Sequence, residues 1–372
     1  MSDLDSIVIP PELMPSDGRF GSGPALVRSA GVDRLAAVAN TYLGTSHRRE
    51  GVRRIVRSIR SGLAELYDLP ERYEVVLGVG GATMFWEVAA HSLIARKSQH
   101  VSIGEFSEKF IKVVELMPQL DEPAVISAPP GSATTPVADD TVDAYALIHN
   151  ETSTGVLAPL ARPDDGDAVV LVDGTSAAGA VRIDPGIFDV YYFSPQKAFG
   201  SEGGLWIALC SPAAVHRIER MAAERSIPPM SSMQIALENS RQDQTYNTPS
   251  LATLFLLADQ IDWLTAQGGL AWAEQRTRSS SAIVYAWAEA SSYATPFVTD
   301  AAVRSPTVTT VDLDESIAAE DVASVLAANG IVDVLGYRKL GHNQLRIATF
   351  PNIDPGDVER LTGAVDYIVS LR

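Results

Sequence analysis

A succession of short apolar runs, most of them uninterrupted by polar residues, does most to constrain what this chain can fold into. The runs occupy residues 74–79, 101–103, 124–127, 144–148, 168–172, 190–193 and 205–209, with polar or helix-patterned stretches between most of them. A strand that alternates apolar and polar residues is buried on one face. A strand apolar throughout is buried on both, as in parallel sheets covered by crossover helices. The spacing therefore predicts an α/β architecture from about residue 20 to 265. A helix is expected over residues 53–67, where Ile55, Ile59, Leu63 and Leu66 recur at three- and four-residue intervals, and another over 83–95 after a glycine turn.

A long helix is expected to open at Thr248-Pro249, with Thr248 as N-cap and Pro249 as first residue, and to stop at Gly268-Gly269. A second helix containing Trp272, Ile283 and Trp287 follows, and then the character of the chain changes. Residues 307–313 alternate like a half-exposed strand, 317–328 read as a helix, and 330–335 and 344–350 as strands; Asp354-Pro355 opens a last helix. The expected organisation is an irregular N-terminal segment (1–20), a large α/β domain (21–268) and a small C-terminal α+β domain (269–372).

Composition narrows the function. Lys and Arg number 29 against 46 Asp and Glu, a net charge of −17 over 372 residues. Such acidity argues against a broad nucleic-acid surface, yet a few inward-facing arginines can still receive a small anionic substrate. Cys210 is the only cysteine, which excludes intrachain disulfides and cysteine-based zinc patterns. Met1-Ser2-Asp3-Leu4-Asp5 lacks the basic-then-apolar start of a secretory signal, and no apolar run approaches the ~20 residues of a membrane helix. A cytoplasmic setting is expected.

Ligands of open parallel sheets bind beyond the carboxyl ends of the strands, so polar residues just after the apolar runs should converge. Gly80-Gly81-Ala82-Thr83 lies between a strand and a helix, where small residues and free N–H groups suit an anion such as phosphate. The same segment reads equally as a tight turn, and Gly78-Val79-Gly80 begins like a dinucleotide fingerprint, although Thr83 stands where its third glycine belongs. Asp173 ends a buried run, where a carboxylate calls for a cation or serves as a turn cap. Lys197 follows a hydrophobic strand and a Pro turn; an amine desolvated there suits bond formation with an aldehyde. An anion cradle, an acid and an amine together are what pyridoxal phosphate requires. Thr152, in His149-Asn150-Glu151-Thr152, can place a hydroxyl near the ring, and Phe106 can stack on it or simply pack in the core. A nucleotide-dependent oxidoreductase and a non-catalytic binding protein remain as readings from other classes.

At this point the chain resembles the class V, fold-type I aminotransferases that use pyridoxal 5'-phosphate, and within them the phosphoserine aminotransferases of actinobacterial type. The carriers are Phe20-Gly21-Ser22-Gly23-Pro24, Gly44-Thr45-Ser46-His47-Arg48, Gly80-Gly81-Ala82-Thr83, His149-Asn150-Glu151-Thr152-Ser153-Thr154-Gly155, Asp173, Pro195-Gln196-Lys197, Tyr246-Asn247-Thr248-Pro249, Tyr337-Arg338-Lys339-Leu340-Gly341 and Leu345-Arg346. The resemblance implies that Lys197 bonds the cofactor and shuttles protons, Asp173 pairs with the pyridine nitrogen, Thr152 with the phenolic oxygen, and Phe106 stacks on the ring. It assigns the cofactor phosphate to Ala82, Thr83 and Gln196, with Asn247 and Thr248 reaching it from the other subunit of a homodimer. Arg346 takes the substrate α-carboxylate, and His47, Arg48 and Arg338 the second anionic group. The implied reaction converts L-glutamate and 3-phosphohydroxypyruvate to 2-oxoglutarate and O-phospho-L-serine, with a phosphorylated hydroxythreonine of vitamin B6 synthesis as a further product. Many members carry Arg where Ala82 stands and His where Tyr337 stands, so the grip on the distal phosphate differs here. The competing readings within the cofactor class are an alanine/serine–glyoxylate or serine–pyruvate transaminase and a cysteine desulfurase acting through Cys210.

Overall fold

The computed structural model describes residues 7–163 and 166–371; Met1 to Asp5, on which the secretory reading rested, lie outside the described residues. Among the described residues nine strands come before residue 211: β1 (Glu74–Val79), β2 (Ser98–Ser102), β3 (Ala124–Ser127), β4 (Ala144–Ile148), β5 (Asn150–Glu151), β6 (Val156–Leu157), β7 (Val169–Asp173), β8 (Val190–Phe193) and β9 (Leu205–Cys210). Seven of them form one sheet in the order β1-β9-β8-β7-β4-β2-β3, while β5 and β6 make a small separate ribbon. Strands β8, β7, β4, β2 and β3 pair in parallel.

Apart from the edge strand β3, where Val125 and Ser127 are exposed, the apolar runs are buried on both faces, for the reason the sequence suggested. On one face Tyr145, Leu147, Val170, Val172, Tyr191 and Phe193 pack against helices α2 (Glu50–Leu66) and α7 (Leu251–Gln267). On the other, Ala144, Ala146, Val169, Leu171, Val190 and Tyr192 pack against α3 (Gly81–Ser92), α4 (Glu105–Glu115), α5 (Pro212–Glu224) and α6 (Met233–Arg241). Each fully buried large apolar side chain contributes about 1.5–3 kcal/mol, so this double layer is a stiff platform for whatever projects from its edge.

The sheet is mostly parallel, and the exception is β9, which runs antiparallel to both β1 and β8. Only a loop, with no crossover helix, joins Phe193 to Leu205, and so short a return lays the next strand alongside in the opposite sense. Because β1 is also antiparallel to β9, it shares the direction of β8. The carboxyl ends of β1, β2, β4, β7 and β8 therefore lie on one edge.

Helix α8 (Gly269–Ala290) leads into a three-stranded sheet, β10 (Ala294–Pro296), β11 (Val308–Leu313) and β12 (Gln344–Ala348), in the order β10-β11-β12. Helices α9 (Ala319–Ala328) and α10 (Pro355–Ser370) complete this part, and Ile9 and Phe20 from the start of the chain are buried in the same cluster. Asp354 caps α10 through a bond from the Gly356 amide with Pro355 at the first position, as expected. Helix α1 (Ser29–Tyr42) lies along α7. None of the helices among the described residues is long and apolar enough to cross a membrane.

Three local expectations are corrected. The cap of α7 is Ser250, which accepts from the Thr253 amide, and not Thr248; the helix begins two residues later than the Thr-Pro pair suggests, and Ser is the better cap. Residues 330–335 form no strand: only isolated bridges of Val332 to Arg19 and Leu335 to Leu345 occur, and Asp333 at φ 64 breaks the extended run. The strand at 308–313 is central and almost wholly buried rather than half-exposed, its threonines satisfied locally, with Thr309 donating to the Ile347 carbonyl and Thr310 to that of Thr154.

Candidate active site

The shared carboxyl edge of the large sheet borders a cavity of about 350 Å³. Gly80, Gly81, Ala82 and Thr83 enter it from the β1–α3 turn, Phe106 from the first turn of α4 after β2, and Asn150 and Thr152 from beyond β4. Asp173 is the last residue of β7; Thr175, Gln196 and Lys197 follow β7 and β8, and Tyr337 and Arg346 come from the C-terminal part. Local geometry explains the residue types. Gly80 and Gly81 take φ values of 110 and 72, left-handed conformations that glycine adopts without strain. A side chain on Gly23 would come within 2.9 Å of Lys197 Cε.

Lys197 is buried, and its Nζ donates to Thr152 Oγ1 at 2.6 Å. Thr152 passes the chain on to Ser176 Oγ at 2.9 Å, and Ser176 donates to the Asn150 carbonyl at 2.8 Å. The Lys197 ammonium position lies 5.2 Å from the centroid of the Phe106 ring. Burial pushes the Lys197 amine down to about 8, although Asp173 pulls it upward. Burial pushes the Asp173 carboxyl up, opposed by hydrogen bonds from Thr175 and, more weakly, by the Lys197 charge and Trp86. The Thr175 amide donates to Asp173 Oδ1 at 2.8 Å and Trp86 Nε1 to Oδ2 at 3.4 Å. The guanidinium of Arg346 stands 5.4 Å over the Tyr337 ring and reaches the Thr152 carbonyl at 3.4 Å; burial lowers its affinity for its proton.

Several polar atoms here are buried with no hydrogen-bond partner: Ser22 Oγ, Asn150 Oδ1, Thr175 Oγ1, Gln196 Oε1 and Arg346 Nε. Left bare, each such group costs about 1–3 kcal/mol, so their clustering in one cavity marks a place built for a polar guest. The first turn of α3 has no side-chain cap, leaving its amides free for an anion. An uncapped helix start, an acid and an amine of lowered basicity fit pyridoxal phosphate.

Of the residues singled out from sequence, Ala82, Thr83, Phe106, Thr152, Asp173, Gln196, Lys197 and Arg346 meet in this cavity. Arg338 does not line it. It is exposed on an outer groove of about 1270 Å³ that shares Ser22, Gly23, Tyr337 and Arg346 with the inner cavity. His47, Arg48, Asn247 and Thr248 lie outside both and sit together on the surface. Thr248 Oγ1 is 3.3 Å from His47 Nδ1, and Arg48 donates to Gln244. Cys210 is buried at the far end of β9, paired in register with Glu74 at the start of β1, and burial pushes its thiol up. A mobile thiolate of the desulfurase kind is thus ruled out for it.

Residues 24–338 match the family described as aminotransferase class-V. The chain belongs to the class-V aminotransferases. This aminotransferase is 53% identical over 369 residues to the phosphoserine aminotransferase of Nocardioides sp., covering 98% of this chain and 99% of the relative. It is equally 53% identical over 365 residues to that of Rhodococcus jostii, covering 98% of each. A solved phosphoserine aminotransferase from Cytophaga hutchinsonii shares the fold with a TM-score of 0.88 over 94% of this chain and 99% of that one, at 24% identity. The fold is thus that of the fold-type I aminotransferases.

Sequence reasoning missed several groups of this aminotransferase's cavity. Trp86 sits on the inner face of α3, where its spacing looks like ordinary core. Ser176 and Thr175 follow Asp173 in what reads as a turn, and only the folded loop shows them bonded to Thr152 and Asp173. The run Gly174-Thr175-Ser176 directly after the strand-end acid was the available signal.

Proposed function

We propose that this chain transfers the amino group of L-glutamate to 3-phosphohydroxypyruvate, giving 2-oxoglutarate and O-phospho-L-serine, with pyridoxal 5'-phosphate as cofactor. The observation that carries this is the 53% identity along nearly the whole chain to phosphoserine aminotransferases, in a protein whose strand-edge cavity gathers Lys197, Asp173 and Arg346. Ala82, Thr83 and Gln196 would hold the cofactor phosphate, Asp173 the pyridine nitrogen, Thr152 the phenolic oxygen and Phe106 the ring face. When bound, pyridoxal phosphate supplies an aldehyde for the donor's amine and a ring that accommodates the electrons left when the α-proton departs.

The chain's own residues do the rest. Lys197 Nζ, with its proton affinity brought down to about 8, takes the α-proton from glutamate and returns one to the acceptor's carbon. Thr152, fixed through Ser176 to the Asn150 carbonyl, holds that amine in place between transfers. Arg346 presents a buried, unpaired Nε to the α-carboxylate common to both substrates. The more distal anion lies toward the outer groove, where Arg338 is exposed and Lys339 is paired with Glu105.

The reading includes a cytoplasmic homodimer with shared sites. Supporting it, His47, Arg48, Asn247 and Thr248 form one surface cluster that touches neither cavity of their own chain. It also includes a large cofactor-binding domain (21–268) and a small one (269–372), and a second product, 4-phosphohydroxy-L-threonine, whose precursor carries the same two anionic ends. Purified protein assayed with L-glutamate should act on 3-phosphohydroxypyruvate far faster than on glyoxylate or pyruvate. A preference for either small keto acid would transfer the assignment to the glyoxylate or pyruvate transaminases.

A further inference from the structure

Helix α4 carries Phe106 into the cavity, yet the residue at its N-cap is Gly104, which has no side chain to offer. The missing acceptor arrives from another strand. Glu151, the last residue of β5 and wholly buried, places its carboxylate over the first turn of α4. Its Oε2 accepts from the Phe106 amide at 3.2 Å, the Ser107 amide at 3.1 Å and Ser107 Oγ at 3.2 Å. Its Oε1 accepts from the Ser153 amide at 3.0 Å and Ser153 Oγ at 2.6 Å. Ser153 Oγ in turn accepts from the Glu105 amide at 3.1 Å. Glycine at 104 is what admits the carboxylate, since a Cβ there would stand 2.6 Å from Glu151 Cγ and 2.7 Å from Ser153 Oγ.

We infer that Glu151 is a positioning residue, capping α4 from a distance and so locking Phe106 and Thr152 into one wall of the cavity. Two cofactor-facing groups far apart in sequence are thereby tied to a single carboxylate: Phe106 through its own amide, and Thr152 by lying between Glu151 and Ser153. An acceptor at a helix start gains from the helix dipole as well as from the amides it satisfies. Burial pushes the Glu151 carboxyl up, and the bonds from Ser153, Ser107 and Phe106 oppose that push. Glu151 is not a proton carrier in the proposed transfer; beyond the upward pull its charge adds at Lys197 and Arg346, its effect passes through the residues it holds.

The inference rests on the transamination reading, and the test separates the two. Wild type, Glu151→Gln and Ser153→Ala are prepared without cofactor, titrated with pyridoxal phosphate by tryptophan fluorescence, and then assayed with L-glutamate and 3-phosphohydroxypyruvate. Glu151→Gln keeps the shape but turns an acceptor oxygen into a donor facing amides. Cofactor affinity and kcat should each fall about ten- to hundredfold, with KM for the keto acid within about threefold of wild type. Ser153→Ala, which removes the 2.6 Å donor to Glu151 together with the acceptor for the Glu105 amide, should show the same pattern at about three- to tenfold and decides the matter if Glu151→Gln does not fold. A variant that melts lower yet keeps wild-type affinity and kcat overturns the inference, because Glu151 then serves the fold alone. Wild type that binds pyridoxal phosphate but makes no phosphoserine refutes the transamination reading instead and leaves the affinity comparison intact.

Discussion

Replacing Lys197 with methionine should make the cofactor-free protein more stable while abolishing transamination. The amine is buried and titrates at about 8 in the folded chain, against an ordinary 10.5. That gap corresponds to about 3 kcal/mol. Below pH 8 both folded and unfolded chains hold the proton, and the folded chain carries the whole cost of a buried cation. Between 8 and 10.5 the unfolded chain binds more protons, so stability rises with pH; above 10.5 the cost has gone. Methionine has similar length and no charge, but it loses the bond to Thr152 Oγ1, which returns about 1 kcal/mol. The variant should therefore gain about 2 kcal/mol at pH 7; the gain should vanish at about pH 9.5 and become a deficit of about 1 kcal/mol above about pH 10.5, where only the lost hydrogen bond counts. Urea denaturation of cofactor-free protein at pH 7 and pH 10, followed by circular dichroism, measures the difference. A variant less stable than wild type at pH 7, or a difference independent of pH, refutes the reasoning about burial. Phosphoserine formation at the wild-type rate refutes the role given to the amine.

Asp173→Asn keeps the bond from the Thr175 amide but removes the charge, and should lower kcat about 10²–10³-fold, read as phosphoserine formation; an unchanged rate would remove Asp173 from the site. Arg346→Leu should raise KM for both L-glutamate and 3-phosphohydroxypyruvate about ten- to hundredfold, whereas an effect on only one substrate contradicts a shared carboxylate site. Mixing inactive Lys197→Ala protein with inactive Arg48→Ala protein should restore about a quarter of wild-type activity if each site draws on both subunits, since half the dimers are hybrids with one intact site. No recovery after verified exchange would place Arg48 outside the shared site. Cys210 should resist aromatic disulfide reagents in the folded protein and react only on unfolding, because burial disfavours the thiolate; rapid labelling of native protein would contradict its place in the core.

What could be read from the residues follows from one geometric rule. Apolar runs buried on both faces specify a layered α/β sheet, and polar residues that end those runs must gather at its carboxyl edge. Lys197, Asp173, Thr152 and the Gly80–Gly81 turn were legible for that reason, since strand position alone brings them together. The antiparallel course of β9 was hidden because an apolar run looks the same in either direction. Ser250 was passed over for Thr248 because both are competent caps, and only the path of the chain around Pro249 selects between them. Glu151 read as one member of a motif, because nothing local shows that its carboxylate spans to a helix that begins 46 residues earlier in the chain, at Glu105. Position along the chain thus determined the sheet and the residues on its edge, since hydrophobic burial depends on the order of side chains. Which polar groups meet across that edge was decided by tertiary packing, because a hydrogen bond requires atoms about 3 Å apart and sequence separation does not encode that distance.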